Sequence, residues 1–179
     1  MCLRWPIRIA VSLLLLLFPG GNLQAQEIEL SPENTRITFE TTHLGVLKVN
    51  GSFDAFSGTL VQDGESWVIT GAIESSSINT NNQNRDETLR SDAYFDVANY
   101  PEIRFEGRGE KTSDGLAIYG VLFLKNLRAE LSFRFIEAEE GLMSAELKLS
   151  RKEIGFTFDS MDMLIGDEVI ITLTIDESI

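Results

Sequence analysis

Cysteine is all but missing from this sequence. Its one copy, Cys2, stands ahead of an apolar run near the start, and no other follows. Disulfides and thiol chemistry are therefore excluded from the body of the chain, whatever the redox state around it. Histidine is as scarce, with His43 alone. One imidazole, no later cysteine and no carboxylate spacing of a calcium loop leave no metal site to predict. There is no Gly-x-Ser-x-Gly elbow, so a nucleophile triad would have to be built on His43. Beside Gly45 that residue reads first as a structural hydrogen-bonding group at a bulge. Basic side chains are few, 15 against 28 acidic ones, for a net charge of −13. That balance argues against nucleic acid and against electrostatic docking on anionic lipid. The plain reading of such charge is a solvated surface.

What is present begins with a leader. Arg4 and Arg8 precede an apolar run from Ile9 to Phe18, which Pro19-Gly20-Gly21 breaks before Ala25. This is the pattern of a secretory signal peptide, too short for a membrane-spanning helix. A cysteine that carried a lipid anchor would follow the run, which Cys2 does not. Cleavage after Ala25 is expected to leave residues 26–179 as one domain in the periplasm. That part keeps 15 − 2 = 13 basic residues, and 13 − 28 gives it a net charge of −15.

The domain alternates with the period of half-buried strands. Ile37 and Phe39 share one face, as do Trp67, Ile69 and Ile73. Ile103 pairs with Phe105 in the same way, and further runs are Leu131/Phe133/Phe135, Met143/Ala145/Leu147/Leu149 and Val169/Ile171/Leu173/Ile175. The run Leu116–Leu124 is apolar on both faces. About eight short strands joined by Gly-containing turns predict an all-β fold with one short helical segment, an antiparallel barrel or sandwich.

The helix is expected in the polar stretch at mid-chain. Asn79 to Asn84 favours a loop, and Asn84 with Glu87 has the spacing of a capping box. Leu89, Ala93 and Val97 recur as one apolar stripe, and Tyr100-Pro101 ends the helix. Arg85 and Arg90, five apart, splay around it. They read first as pins that pair with Asp86, Asp92 or strand carboxylates, and second as ligand contacts. Such a segment suits a lid or plug. Most of the eleven Phe fall at alternating strand positions. They fill a solid core or line a hollow one, since an eight-stranded barrel admits both.

The sequence resembles the YceI-like family, secreted bacterial proteins with a lipocalin-like barrel that bind polyisoprenoids. The resemblance rests on Phe39-Glu40-Thr41-Thr42-His43-Leu44-Gly45, on Val49 through Gly58, and on Ser77-Ile78-Asn79-Thr80 followed by Arg85 through Ser91. Phe95-Asp96, Tyr100 through Phe105, Arg151 through Gly155 and Gly166-Asp167-Glu168-Val169 complete it. Thr88 stands where the family often has His, and Gly120 through Arg128 departs from its usual turn. What the resemblance implies is an eight-stranded lipocalin-like barrel with an apolar tunnel and no catalytic step. The ligand would be a long isoprenoid lipid or quinone, carried as cargo rather than as a cofactor. The candidate ligand-binding residues are His43, Phe53, Phe56, Ile78, Arg85, Leu89, Tyr94, Phe95, Phe105, Leu122 and Phe133. Two other classes stay open, a solid-cored periplasmic interaction protein and a barrel enzyme using His43. A homodimer is an open option too.

Overall fold

The computed structural model describes residues 26–158 and 162–178. The leader expected over residues 1–25 lies outside them. The alternating runs do form strands. In order these are β1 (Glu27–Leu30), β2 (Thr35–His43), β3 (Leu47–Phe53), β4 (Phe56–Asp63), β5 (Ser66–Glu74) and β6 (Ile78–Asn79). Helix α1 (Gln83–Arg90) follows. Then come β7 (Glu102–Thr112), β8 (Gly115–Leu124), β9 (Leu127–Glu139), β10 (Leu142–Ser150) and β11 (Glu168–Asp176).

The strands make one antiparallel sheet in the order β1-β4-β5-β7-β8-β9-β10-β11-β2-β3-β6. β1 and β2 lie far apart in that order, yet only residues 31–34 separate them in the chain. The sheet must therefore curl on itself. There are eleven strands rather than the roughly eight expected; β1, at four residues, and β6, at two, are too short to stand out as strands in the sequence. Nor is the ladder complete. β3 bonds β2 along its length, but on its other side only Ser52 and Phe53 meet β6. From Leu47 to Gly51 that edge has no strand partner among the described residues, and α1 follows β6 in the chain and packs against it.

The two ends of the curl differ. At the lower end Leu60, Ile69, Leu116, Ile118, Phe135, Ala145 and Ile175 form a tight cluster. Trp67, Phe105, Phe133 and Met143 pack against it. The Phe105 ring lies over Gly107 and the facing Gly120, where an added Cβ would come within 2.9 and 2.5 Å of it. Glycine is needed there for close approach, not for turning. Phe105 also meets Phe133, with ring centroids 5.6 Å apart. The upper end carries α1, the connection 91–101 and the segments 151–158 and 162–167.

Both faces of β8 were expected to be covered. Its inward residues Leu116, Ile118 and Leu124 are buried, but Tyr119 on the outer face is 61% exposed. Phe123, also outward, lies under the Arg104 guanidinium at 5.4 Å. Ala117 on the same face is buried, so the outer face is covered in part and open at Tyr119.

The cap of helix α1 lies two residues before the expected one. Asn82, not Asn84, accepts from the Arg85 N–H at 3.0 Å. The Asn run offered several caps of equal chemistry, and spacing to Glu87 chose the wrong one. The helix also stops at Arg90. Ser91 turns extended, and its hydroxyl donates to the Thr88 carbonyl at 2.7 Å. The stripe Leu89, Ala93 and Val97 is therefore not helical, and Ala93 is exposed. A local serine bond has displaced the next helical turn.

Candidate functional site

Above the lower cluster the curl is hollow. It holds a cavity of about 580 Å³, within the usual range for a small-molecule site. Its strand walls carry aliphatic side chains such as Ile103, Leu122, Leu131, Leu147, Val169 and Ile171. The lower end is filled by rings and Trp67, so side-chain size along the strands decides where the space lies. A second cavity of about 90 Å³ sits lower down and shares Ile37, Ile73, Ile103, Phe105, Leu122 and Leu173 with the first. Those shared residues form the floor.

Six rings border the cavity in an unbroken series. Phe39 meets Phe53 at 5.8 Å, Phe53 meets Phe95 at 6.2 Å, and Phe95 meets Phe156 at 5.2 Å. Phe156 meets Phe158 at 4.7 Å, and Phe158 meets Tyr94 at 4.8 Å. The series joins β2 and β3 to the connection 91–101 and the segment 151–158. Tilted and edge-on contacts of this kind hold rings in place while leaving apolar faces free.

Two sets of polar groups join the lining. α1 supplies Asn84, Arg85 and Thr88, and the end of β2 supplies Thr41, Thr42 and His43. Arg85 is oriented by Thr80. Its Nε donates to the Thr80 hydroxyl at 2.7 Å and its Nη2 to the Thr80 carbonyl at 2.8 Å. That hydroxyl donates in turn to the buried Asp86 carboxylate, which also accepts from the Thr80 N–H at 2.9 Å. Arg90 donates to the carbonyls of Ser76 and Ile78, at 2.7 and 2.8 Å. Both arginines therefore pin the helix, but to carbonyls and a hydroxyl rather than to carboxylates. Among the described residues Nη1 of Arg85 has no partner, and Arg85 alone of the two lines the cavity. His43 was expected to hydrogen-bond structurally. Among the described residues its imidazole bonds nothing, and it faces the cavity instead.

Nine of the eleven candidate residues line this one space: His43, Phe53, Ile78, Arg85, Leu89, Tyr94, Phe95, Phe105 and Leu122. Phe56 and Phe133 do not. Phe56 follows the bend at Asp54-Ala55 and borders only the lower cavity. Phe133 pairs with Ile118, which is fully buried, and so belongs to the solid end. Alternation gave their face correctly but not their height.

Arg151 entered the sequence reading only as part of the family resemblance and not as a candidate binding residue, yet it is 2% exposed and borders the cavity. Nε donates to the Gly166 carbonyl at 2.9 Å, and Nη1 to the Phe156 carbonyl at 3.1 Å and to the Asp162 carboxylate. Nη2 reaches the carbonyls of Asp162 and Ile165, both at 2.8 Å. All five N–H donors of the guanidinium are used. The ring of Phe158 lies 5.0 Å from its centre. Arg151 thus clasps the connection that brings Phe156, Phe158, Leu164 and Ile165 to the cavity.

The Arg151 bond, then the Phe158 N–H, hold the Asp162 carboxyl down from 3.8 to about 2. Its depressed value means that the clasp is fully favoured above pH 3.8 and weakens as pH falls through about 2. We expect the urea midpoint to drop across that window, and Asp162→Asn to flatten that part of the profile. An unchanged acid limb in Asp162→Asn would show that other carboxylates govern it.

Comparison with known proteins fits this architecture. A protein of Yersinia pestis described as a UPF0312 protein is 30% identical over 125 residues, or 66% of this chain. The match spans 65% of that relative's own length. Among solved structures, BcnA of Burkholderia cenocepacia superposes with a TM-score of 0.68 at 15% identity, covering 78% of this chain and 94% of BcnA. A domain of Saccharophagus degradans, described as polyisoprenoid binding and implicated in plant cell wall breakdown, gives 0.61 at 13% identity. It covers 83% of this chain and 95% of its own. These two likenesses concern the fold. The YceI-like domain itself matches residues 29–176, nearly the whole described sheet with its helix, and on that match the chain belongs to the YceI-like family.

Proposed function

We propose that this protein binds a long-chain isoprenoid lipid, of polyprenyl or quinone type, and carries or sequesters it without chemical change in the periplasm. The observation that carries the reading is the cavity itself, walled mostly by Leu, Ile and Phe side chains with a few polar groups from β2, α1 and Arg151. An apolar tail gains about 25 cal/mol for each Å² withdrawn from water, and the Leu, Ile and Phe walls offer it no polar group. A head-group would stay with Arg85, Asn84, Thr88 and His43. The Saccharophagus domain of the same fold, described as polyisoprenoid binding, supports the assignment.

An enzyme built on His43 has less support. A catalytic base needs an orienting partner, and no hydrogen bond to the His43 imidazole is found among the described residues. Among those residues no helix is long and apolar enough to cross a membrane.

Mass spectrometry of the organic extract from protein purified out of its native host tests the proposal. A prenyl lipid or quinone at near-stoichiometric amount, on a chain beginning at Gln26, is the expected result. Protein that carries no lipid and retains no added prenyl chain would overturn the carrier reading. A retained Met1 would overturn the export reading.

A further inference from the structure

The connection clasped by Arg151 does more than close the cavity. Its Leu164 carbonyl accepts from the Leu44 N–H at 2.7 Å, and Ile165 bridges to His43. The β2–β3 turn and the 162–164 turn are thereby joined into one projection. Four apolar side chains stand on it, Leu44 at 54% exposure, Val46 at 79%, Leu47 at 55% and Met163 at 83%. None lines the cavity, yet their chain neighbours His43, Leu164 and Ile165 all do. Leu44 has φ +55° and Gly45 φ +72°. Asn or Gly adopts that left-handed backbone easily, whereas leucine does so at a cost. A leucine held in this conformation and left half exposed is hard to explain by folding alone.

We propose that this projection is a membrane-docking tip that inserts among lipid tails and holds the cavity mouth against a bilayer. It rests on the reading of the cavity as a lipid site. A long apolar tail leaving the cavity through water would expose its whole length, and a mouth seated in the bilayer removes that barrier. The tip is apolar and strongly exposed, which suits insertion. Its charge surroundings choose the surface. The nearby cations Lys48 and Lys152 are each engaged, with Glu40 at 2.8 Å and Asp162 at 3.3 Å. With a net charge of −13 on the chain as well, attraction must be apolar rather than electrostatic. The fitting surface is therefore a zwitterionic bilayer.

Co-sedimentation of the exported protein with phosphatidylcholine vesicles tests this. Wild type should bind, no more tightly when phosphatidylglycerol is added and nearly independently of salt. The double variant Val46→Asn with Met163→Gln should bind roughly tenfold or more weakly. Both sites are almost wholly exposed, so folding and retention of an added prenyl chain should be unchanged. Equal sedimentation of wild type and variant, or none by wild type, overturns the proposal. So does a wild-type dimer that the variant dissolves, which would assign the tip to a second copy. Variant-sensitive vesicle binding by a protein that retains no prenyl chain would leave the docking tip standing and remove the carrier reading instead.

Discussion

Arg151→Met should destabilise the protein by about 3 kcal/mol and abolish ligand retention. Removing one partner of a buried ion pair costs about 3–5 kcal/mol. The lower figure applies here because Asp162 keeps 24% of its side chain exposed and has Lys152 at 3.3 Å. Four carbonyls, those of Phe156, Asp162, Ile165 and Gly166, lose their donor at the same time. Lysine would not rescue them, since a compact ammonium cannot match the guanidinium's five-donor fork. Urea unfolding of Arg151→Met and Arg151→Lys measures this. A loss below about 1 kcal/mol in both would mean that the connection is held by its aromatic rings alone.

Adding bulk should have opposite consequences at the two ends of the curl. Leu147 faces the large cavity, so Leu147→Trp has room and should change stability little while lowering prenyl-chain affinity by roughly tenfold or more. Phe133 is wedged between Phe105 and Phe135, at 5.6 Å from each. Phe133→Trp should therefore overpack, cost roughly 1–3 kcal/mol and leave the cavity's shape largely intact. Denaturation midpoints and a prenyl-binding assay on both variants separate the effects. If Leu147→Trp proves the more destabilising, the space is not available to a ligand.

The inward face of nearly every strand was legible, because a period of two survives in any half-buried sheet. Val169, Ile171, Leu173 and Ile175 all point inside, as their alternation says. Height along the barrel was not legible. Alternation treats Phe105, Phe133 and Leu147 alike, although one is floor, one is solid core and one is cavity wall. The helix was found but its ends were not, since Asn82 and Asn84 are chemically equal caps and Ser91 breaks the stripe by a local bond. The role of Arg151 was hidden for a related reason. A lone arginine between strands looks solvated until the connection after it folds back and supplies carbonyls for every donor.

The strand order also fixes when the binding space can exist. β2, made early, has β11 as a neighbour, with Glu40 opposite Ile170. Every strand from β4 to β10 must be in place before that pairing can seal the wall, so the ladder of greatest sequence separation is the one that creates the cavity. Pairings of such long range form slowly, after local hairpins such as β7–β8 and β8–β9. A nascent or truncated chain lacking β11 would own the aromatic rings but lack Ile175 of the lower cluster and any enclosed space. Capture of an apolar molecule thus waits for the last strand, so a half-made chain does not fold around the wrong one.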